Sequence, residues 1–301
     1  MRVLVTGASG FLGSHLTAYL VASGDQVTGT YAGSEPPARP GLDLCPVEIT
    51  DRPAMAALVE RVDPEVLIHL AGLSHVGASW TKLAEYYQVN ALGTEALLDA
   101  AAGRPVVLAS SAEVYGPVPE EEQPIPEDRP LAPPSPYAMT KAFAERMVLA
   151  HGGVIARTFN LIGPAQAPAF ALPTFARQLA AIARGEQEPT LRVGNLSARR
   201  DFLHVEDGAR AYRLLARFGE VGTVYNVASG TAHSMEEMLA RLIRTSGVEA
   251  RVEVDTSRFR PIDLPLLTGD ARRLQAMGWR PERSVDEALE QLWESVREER
   301  A

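Results

Sequence analysis

Residues 1–160 alternate between two hydrophobic rhythms. Short continuous apolar runs read as parallel strands buried on both faces. Stretches with a period near 3.6 residues read as the helices that connect them. Strands are expected at 2–6, 26–30, 42–49, 66–71, 106–109 and 153–159. Helices are expected to end near 22, to start near 51, and to cover 82–101 and 136–151. Asp51 with Pro53, and Ser135 with Pro136, are helix starts, while Ser23-Gly24 and Gly152-Gly153 are helix ends. This alternation predicts an α/β fold with a Rossmann-type doubly wound parallel sheet.

After residue 160 the rhythm breaks in an Ala/Pro-rich loop. A helix is expected at 174–183, then strands at 190–193 and 198–202 around Gly194-Asn195, a hairpin signal. A helix (205–218), a strand (223–227), a helix opened by Ser234, a strand (251–254), a short helix (270–277) and a helix opened by Ser284 follow. Ser234–Glu237 and Ser284–Glu287 both have capping-box spacing. These elements are too few and too interleaved for an independent domain. They read as a smaller C-terminal α/β substrate lobe over 161–301, with some segments returning to the sheet.

Composition narrows the chemistry. The chain has 301 residues, a globular hydrophobic fraction of 46% and a net charge of −9 without a basic run. A nucleic-acid surface and an anionic membrane surface are therefore not expected. No apolar segment is long enough to span a membrane. Met1-Arg2-Val3-Leu4-Val5 leads straight into a strand without a signal-peptide layout, so a cytoplasmic location is expected. The single cysteine, Cys45, reads as a buried thiol in a reducing compartment. The histidines are scattered, and no metal site is expected.

The first strand runs into Gly7-Ala8-Ser9-Gly10-Phe11-Leu12-Gly13. In a strand–turn–helix context these glycines allow a tight turn, a close approach of pyrophosphate to helix amides, and close helix–strand packing. Residues 1–160 are thus mainly a dinucleotide-binding domain. The second strand ends Thr28-Gly29-Thr30-Tyr31, with neither a carboxylate nor an arginine, so NADH and NADPH both stay open. Glu48-Ile49 could flank an adenine, and Leu70-Ala71-Gly72 would let the backbone pass close to a ribose. His75 and Val76 lie in the loop that follows. Asn90, inside a helical pattern, is either exposed or a polar group beneath the site. Ser111 falls at the carboxyl end of the fifth strand, where ligands of doubly wound sheets bind. Tyr137 and Lys141 sit one helical turn apart, and the ammonium is expected to lower the tyrosine pKa toward neutral.

The glycine turn, Ser111 and Tyr137-x-x-x-Lys141 together resemble the extended short-chain dehydrogenase/reductases that act on nucleotide sugars, over essentially the whole chain. The resemblance implies that Ser111 orients a carbonyl, Tyr137 exchanges a proton, and Lys141 binds the nicotinamide ribose and supports the tyrosine. Residues 157–164, Val193-Gly194-Asn195-Leu196, Arg200-Asp201-Phe202 and Arg260-Pro261-x-Asp263 resemble the branch of GDP-mannose 4,6-dehydratase and GDP-4-keto-6-deoxy-D-mannose reductase. This branch implies a GDP-linked deoxyhexose substrate contacted by His75, Val76, Glu113, Asn160, Arg177 and Asn195. It further implies Arg200 and Arg260 on the diphosphate and ribose, and Asp263 on the guanosine. A homodimer through the 82–101 and 138–150 helices is also implied. Glu113 stands where a dehydratase keeps its base. Ser111, Ala112 and the short loop at 31–41 instead resemble the reductase, so reduction of a C4 keto group is expected, with dehydration as the alternative.

Overall fold

The computed structural model describes residues 1–259 and 262–298. β1 (Arg2–Thr6) enters α1 (Phe11–Ala22) through the glycine turn, followed by β2 (Gln26–Tyr31), β3 (Leu42–Pro46), α2 (Arg52–Val62) and β4 (Val66–His69). Two one-turn helices, α3 (Val76–Ser79) and α4 (Leu83–Tyr86), lead into a π-helical stretch at Tyr87–Leu92 and then α5 (Gly93–Ala101). β5 (Val106–Ser111), α6 (Pro136–Ala150) and β6 (Val154–Thr158) follow. The remaining elements are β7 (Asn160–Ile162), α7 (Ala171–Ala183), β8 (Thr190–Val193), β9 (Arg199–His204), α8 (Val205–Phe218), β10 (Val224–Val227), β11 (Ala232–Ser234), α9 (Met235–Ser246), β12 (Arg251–Val254), β13 (Leu266–Leu267), α10 (Arg272–Ala276) and α11 (Val285–Arg297).

The main sheet is parallel, in the order β3-β2-β1-β4-β5-β6-β10. The central strands carry continuous buried apolar runs, Val3–Val5 in β1 and Val66–Ile68 in β4, because both of their faces are covered, whereas edge strand β3 stays largely exposed. Val3, Val5 and Ile68 pack into one core, while Leu4, Leu67 and Leu108 pack into the other. α1 and α8 cover the first face; α2, α5 and α6 cover the second. The chain order reverses between β1 and β4, and the crevice beyond their carboxyl ends is the ligand position of such sheets. In the C-terminal half β9 pairs with β7 and β13 in parallel and with β11 antiparallel, while β8 pairs with β12. α7, α9 and α11 pack a separate apolar cluster around Phe175, Leu179, Met238 and Leu292. α8 and β10 return to the main sheet.

Several local readings of the sequence are corrected. The hairpin at Gly194-Asn195 does not form, because β8 and β9 belong to different sheets. Asn195 instead folds onto its own loop, accepting hydrogen bonds from the Ser197 N–H and hydroxyl. β3 stops at Pro46, short of residue 49, because its only partner, β2, ends at Tyr31 opposite it. The 82–101 helix is interrupted by the π-helical stretch that contains Asn90. Ser284 and Glu287 form a complete capping box, whereas Ser234 caps Glu237 without the reciprocal bond. Glu237 pairs with His233 and Arg241 instead.

Gly7 has φ +72°, and a Cβ there would stand 2.7 Å from the Ala71 nitrogen. A Cβ on Gly13 would stand 2.1 Å from the Gly7 carbonyl oxygen, whereas one on Gly10 would stand 3.3 Å from it. Gly13→Ala is therefore expected to cost ~1–3 kcal/mol by overpacking backbone that cannot yield, and Gly10→Ala distinctly less. Urea denaturation checks the order, and equal midpoints for the two variants would refute the packing argument.

Candidate active site

A cavity of about 580 Å³ lies over the carboxyl ends of the central strands and extends into the lobe. At one end it is lined by Gly7, Gly10, Phe11, Leu12 and Gly13. α1 starts with no side-chain cap and no acidic residue in its first turn. Its leading amides and the positive end of its dipole are thus left for an anion, and no Cβ bars the approach. The turn fits the pyrophosphate of a dinucleotide on this ground. Leu70 and Gly72 line the next portion of the cavity.

A chain of hydroxyl and imidazole groups holds that wall. The Thr94 hydroxyl donates to the Asn90 carbonyl at 2.6 Å, so it accepts from His69 Nε2 at 3.0 Å. His69 Nδ1 is then the acceptor for Thr6 Oγ1 at 2.7 Å, and Thr6 Oγ1 accepts from the Ala71 N–H. Burial, with a smaller contribution from Lys141, pushes His69 down to about 3, so the ring is neutral. Asn90 is buried rather than exposed. Its amide closes on Leu73 from both sides, 2.8 Å to the N–H and 3.0 Å to the carbonyl, and donates to Thr140. It stands behind the wall rather than lining the cavity, as do Ala71 and Ile49. Glu48 is exposed and does not line the cavity.

Ser111, Glu113, Tyr137 and Lys141 meet in the middle of the cavity. Ser135 caps α6 by accepting from the Ala138 N–H, and Pro136 occupies the first turn, which aims Tyr137 and Lys141 along one face. Ser111 Oγ accepts from the Glu113 N–H at 3.2 Å, leaving its own O–H to donate. The Tyr137 ring packs edge-on to Tyr86 at 6.4 Å. Lys141 is 6% exposed and donates to the Ala109 carbonyl at 2.9 Å. The expectation that Lys141 brings the phenol toward neutral is not met. Burial pushes Tyr137 up to about 12, opposed by the Ser111 hydroxyl. Burial also lowers Lys141 to about 8, with Glu145 acting against the fall. Desolvation is the largest influence on both groups, and neither shift draws on the other residue.

The far end of the cavity carries Asn160, Asn195, Arg200 and Asp263, with His75 and Val76 on the rim. Arg200 is tied to Asp263 at 2.8 Å and to the Leu264 carbonyl at 2.6 Å, and Asn195 donates to the other Asp263 oxygen at 2.8 Å. Arg200 thus reaches the cavity already paired. Arg177 does not line it; its guanidinium meets the Gln166 carbonyl at 3.3 Å. Arg260 lies outside the described residues. Sequence reasoning missed Thr158, Tyr212, Phe170, Arg192 and Arg258, all of which line the cavity. Phe170 packs edge-on to His75 at 6.3 Å. Thr158, at the end of β6, was legible as a strand end like Ser111. Phe170 sits in a loop whose sequence has no periodicity to place it.

A family model for GDP-mannose 4,6 dehydratase matches residues 4–292. The chain belongs to this family. Within it, the GDP-6-deoxy-D-mannose reductase of Pseudomonas aeruginosa is 36% identical over 317 residues, 99% of both chains. The solved structure of RMD from Pseudomonas aeruginosa complexed with NADPH superposes with a TM-score of 0.86 at 33% identity, covering 99% of each chain. The UDP-glucose 4-epimerase of Thermus thermophilus in complex with NAD gives 0.89 at 30% identity, again over 99% of each chain. Membership, together with the glycine turn and the serine–tyrosine–lysine group, makes this GDP-mannose dehydratase family member an NAD(P)-dependent oxidoreductase of the nucleotide-sugar reductase and dehydratase type.

The buried pair also shapes stability. Lys141 titrates at about 8 in the fold against 10.5 ordinarily, so between these values the unfolded chain binds more protons and stability rises with pH. Tyr137 works in the opposite sense, because its value is raised from 10 to about 12 and stability falls across that higher window. Lys141→Met is expected to abolish the rise above pH 8. Urea midpoints measured across alkaline pH test this, and an unchanged rise would place its source elsewhere.

Proposed function

We propose that this protein reduces the C4 keto group of GDP-4-keto-6-deoxy-D-mannose with NADPH or NADH, giving GDP-D-rhamnose or its C4 epimer. The observation that carries the reading is the Ser111–Tyr137 pair, a serine hydroxyl hydrogen-bonded to a phenol that burial keeps protonated, both facing the same cavity. Bound NAD(P)H supplies the hydride. Ser111 donates to the carbonyl oxygen and polarises it. Tyr137, a protonated acid at neutral pH, gives its proton to the oxygen as charge develops there. Lys141 holds its ammonium beside the Ala109 carbonyl, where a cofactor ribose passes Gly72. The His75–Phe170 ring pair covers the rim and limits water. Asn160, Asn195, Arg200 and Asp263 receive the nucleotide diphosphate end, and Arg177 acts through the Gln166 loop.

Dehydration is the second reading, favoured by Glu113 lining the cavity beside Tyr137. The two separate in one assay. Reduction predicts oxidation of NAD(P)H only when the keto sugar is supplied. Formation of the 4-keto-6-deoxy sugar from GDP-mannose without added reduced cofactor would overturn the reductase reading. Tyr137→Phe is expected to lower kcat by ~10²–10⁴-fold with the fold retained, and full activity in that variant would remove Tyr137 from the mechanism.

The reading includes a cytoplasmic homodimer. The lone, buried Cys45 fits a reducing compartment. Leu83, Tyr87, Leu92, Met139 and Phe143 are exposed apolar residues on the adjoining α4–π–α6 surface, the kind of patch that a second copy covers. Phe143→Glu is expected to convert the dimer to monomer in sedimentation. A wild-type protein that sediments as monomer would refute the interface.

A further inference from the structure

Tyr137, Lys141 and Glu145 recur at intervals of four on one face of α6, and Glu145 is 1% exposed. The carboxylate is held from three sides. Ser110, the neighbour of Ser111 on β5, donates to Oε1 at 2.5 Å. Arg157 on β6 grips both oxygens, Nε to Oε1 at 3.0 Å and Nη2 to Oε2 at 2.8 Å. Arg157 is itself fixed by the Glu127 carbonyl at 2.9 Å and by the Tyr115 ring, 4.7 Å from its carbon centre. Glu145 faces away from ligand, and Lys141 Nζ donates to the Ala109 carbonyl rather than to it.

We propose that Glu145 is a positioning residue for the proton-transfer group: clamped by Arg157 and Ser110, it fixes the carboxyl end of β5 beneath Ser111 and holds Lys141 in its charged form. The proposal rests on the reading of Tyr137 and Lys141 given above. The charged and titratable groups around Lys141 leave this task to one carboxylate. His69 from β4 is neutral, Tyr137 on α6 is protonated, and Arg157 from β6 is cationic. Glu113, after β5, acts on Tyr137. Glu145 is the anion that opposes the effect of burial on Lys141. Its pairing with Arg157 has the geometry that a buried ion pair requires, a bidentate fork with further hydrogen bonds on both partners.

The test compares Glu145→Gln, Arg157→Met and the paired Glu145→Leu/Arg157→Met variant, the last keeping the fold available because it removes both buried charges together. NADPH affinity, kcat/KM and urea stability of the cofactor-free protein are followed from neutral pH to the ordinary lysine range. Glu145→Gln is expected to move the alkaline loss of cofactor affinity and kcat/KM down by about one pH unit, a tenfold loss at a fixed alkaline pH. The onset of the alkaline rise in stability should move down with it. Arg157→Met, which leaves the buried Glu145 carboxylate without its clamp, should move these limbs down as well, and the paired variant should follow Glu145→Gln. Glu145→Asp should recover part of the shift. Limbs that coincide with wild type in Glu145→Gln, or in the paired variant if the single variant does not fold, would overturn the proposal even where kcat falls. A wild-type protein that binds NADPH but does not reduce the keto sugar would sink the substrate reading and leave this test intact.

Discussion

An ammonium buried at the carboxyl end of a parallel sheet is the constraint that organises this molecule. Lys141 sits with 6% of its surface exposed, where an isolated charge costs several kcal/mol. The fold meets that cost locally. Ala109, the third-last residue of β5, turns its carbonyl to Nζ, and Glu145 adds a carboxylate one turn further along α6. Arg157 and Ser110 hold that carboxylate, which ties α6 to β5 and β6. The elements that carry the reacting groups are thus joined by the same bonds that stabilise the charge. A substitution in this set acts on geometry and ionisation together.

The second requirement is a close approach of backbone to backbone at the other side of the site. Gly13 lets α1 come down on the Gly7 carbonyl, and Gly7 lets the turn meet Ala71. Thr6 then captures the Ala71 N–H, and the His69–Thr94–Asn90 chain transmits the position of β4 to the π-helical stretch. A π turn places one extra residue in the helix at the point where Asn90 is buried and aimed at Leu73. The cofactor side and the proton-transfer side therefore meet through Asn90 and Thr140, the latter lying between Tyr137 and Lys141 on α6.

Much of this was legible in the sequence wherever one local rule acts alone. The glycine turn, the Ser135-Pro136 helix start and the apolar central strands β1 and β4 each follow from backbone sterics or two-sided burial, and the structure forms them in those segments. Partners distant along the chain were not legible. Gly194-Asn195 has hairpin chemistry, yet its flanking strands pair elsewhere, because pairing is decided by β12 and by β7, β11 and β13. Asn90 carried a signal in its low helix propensity, but only the fold separates exposure from burial. Phe170 had no signal at all. The pairing of Arg200 with Asp263 spans 63 residues, and its charge could not be known to be engaged from either segment.

The same distinction bears on acid and base in the site. A tyrosine beside a lysine was expected to exchange a proton near neutral pH, since opposite charge lowers a phenol. Burial acts the other way and is the larger effect, so the phenol stays protonated at neutral pH. An acid of this kind suits reduction, where the substrate oxygen must gain a proton. Dehydration starts from the opposite demand, a hydroxyl proton passing to the Tyr137 phenolate, and burial works against forming that phenolate. Glu113 acts in the same sense, because its negative charge raises Tyr137 further. Burial thus keeps Tyr137 protonated at neutral pH, the state from which the proposed reduction starts.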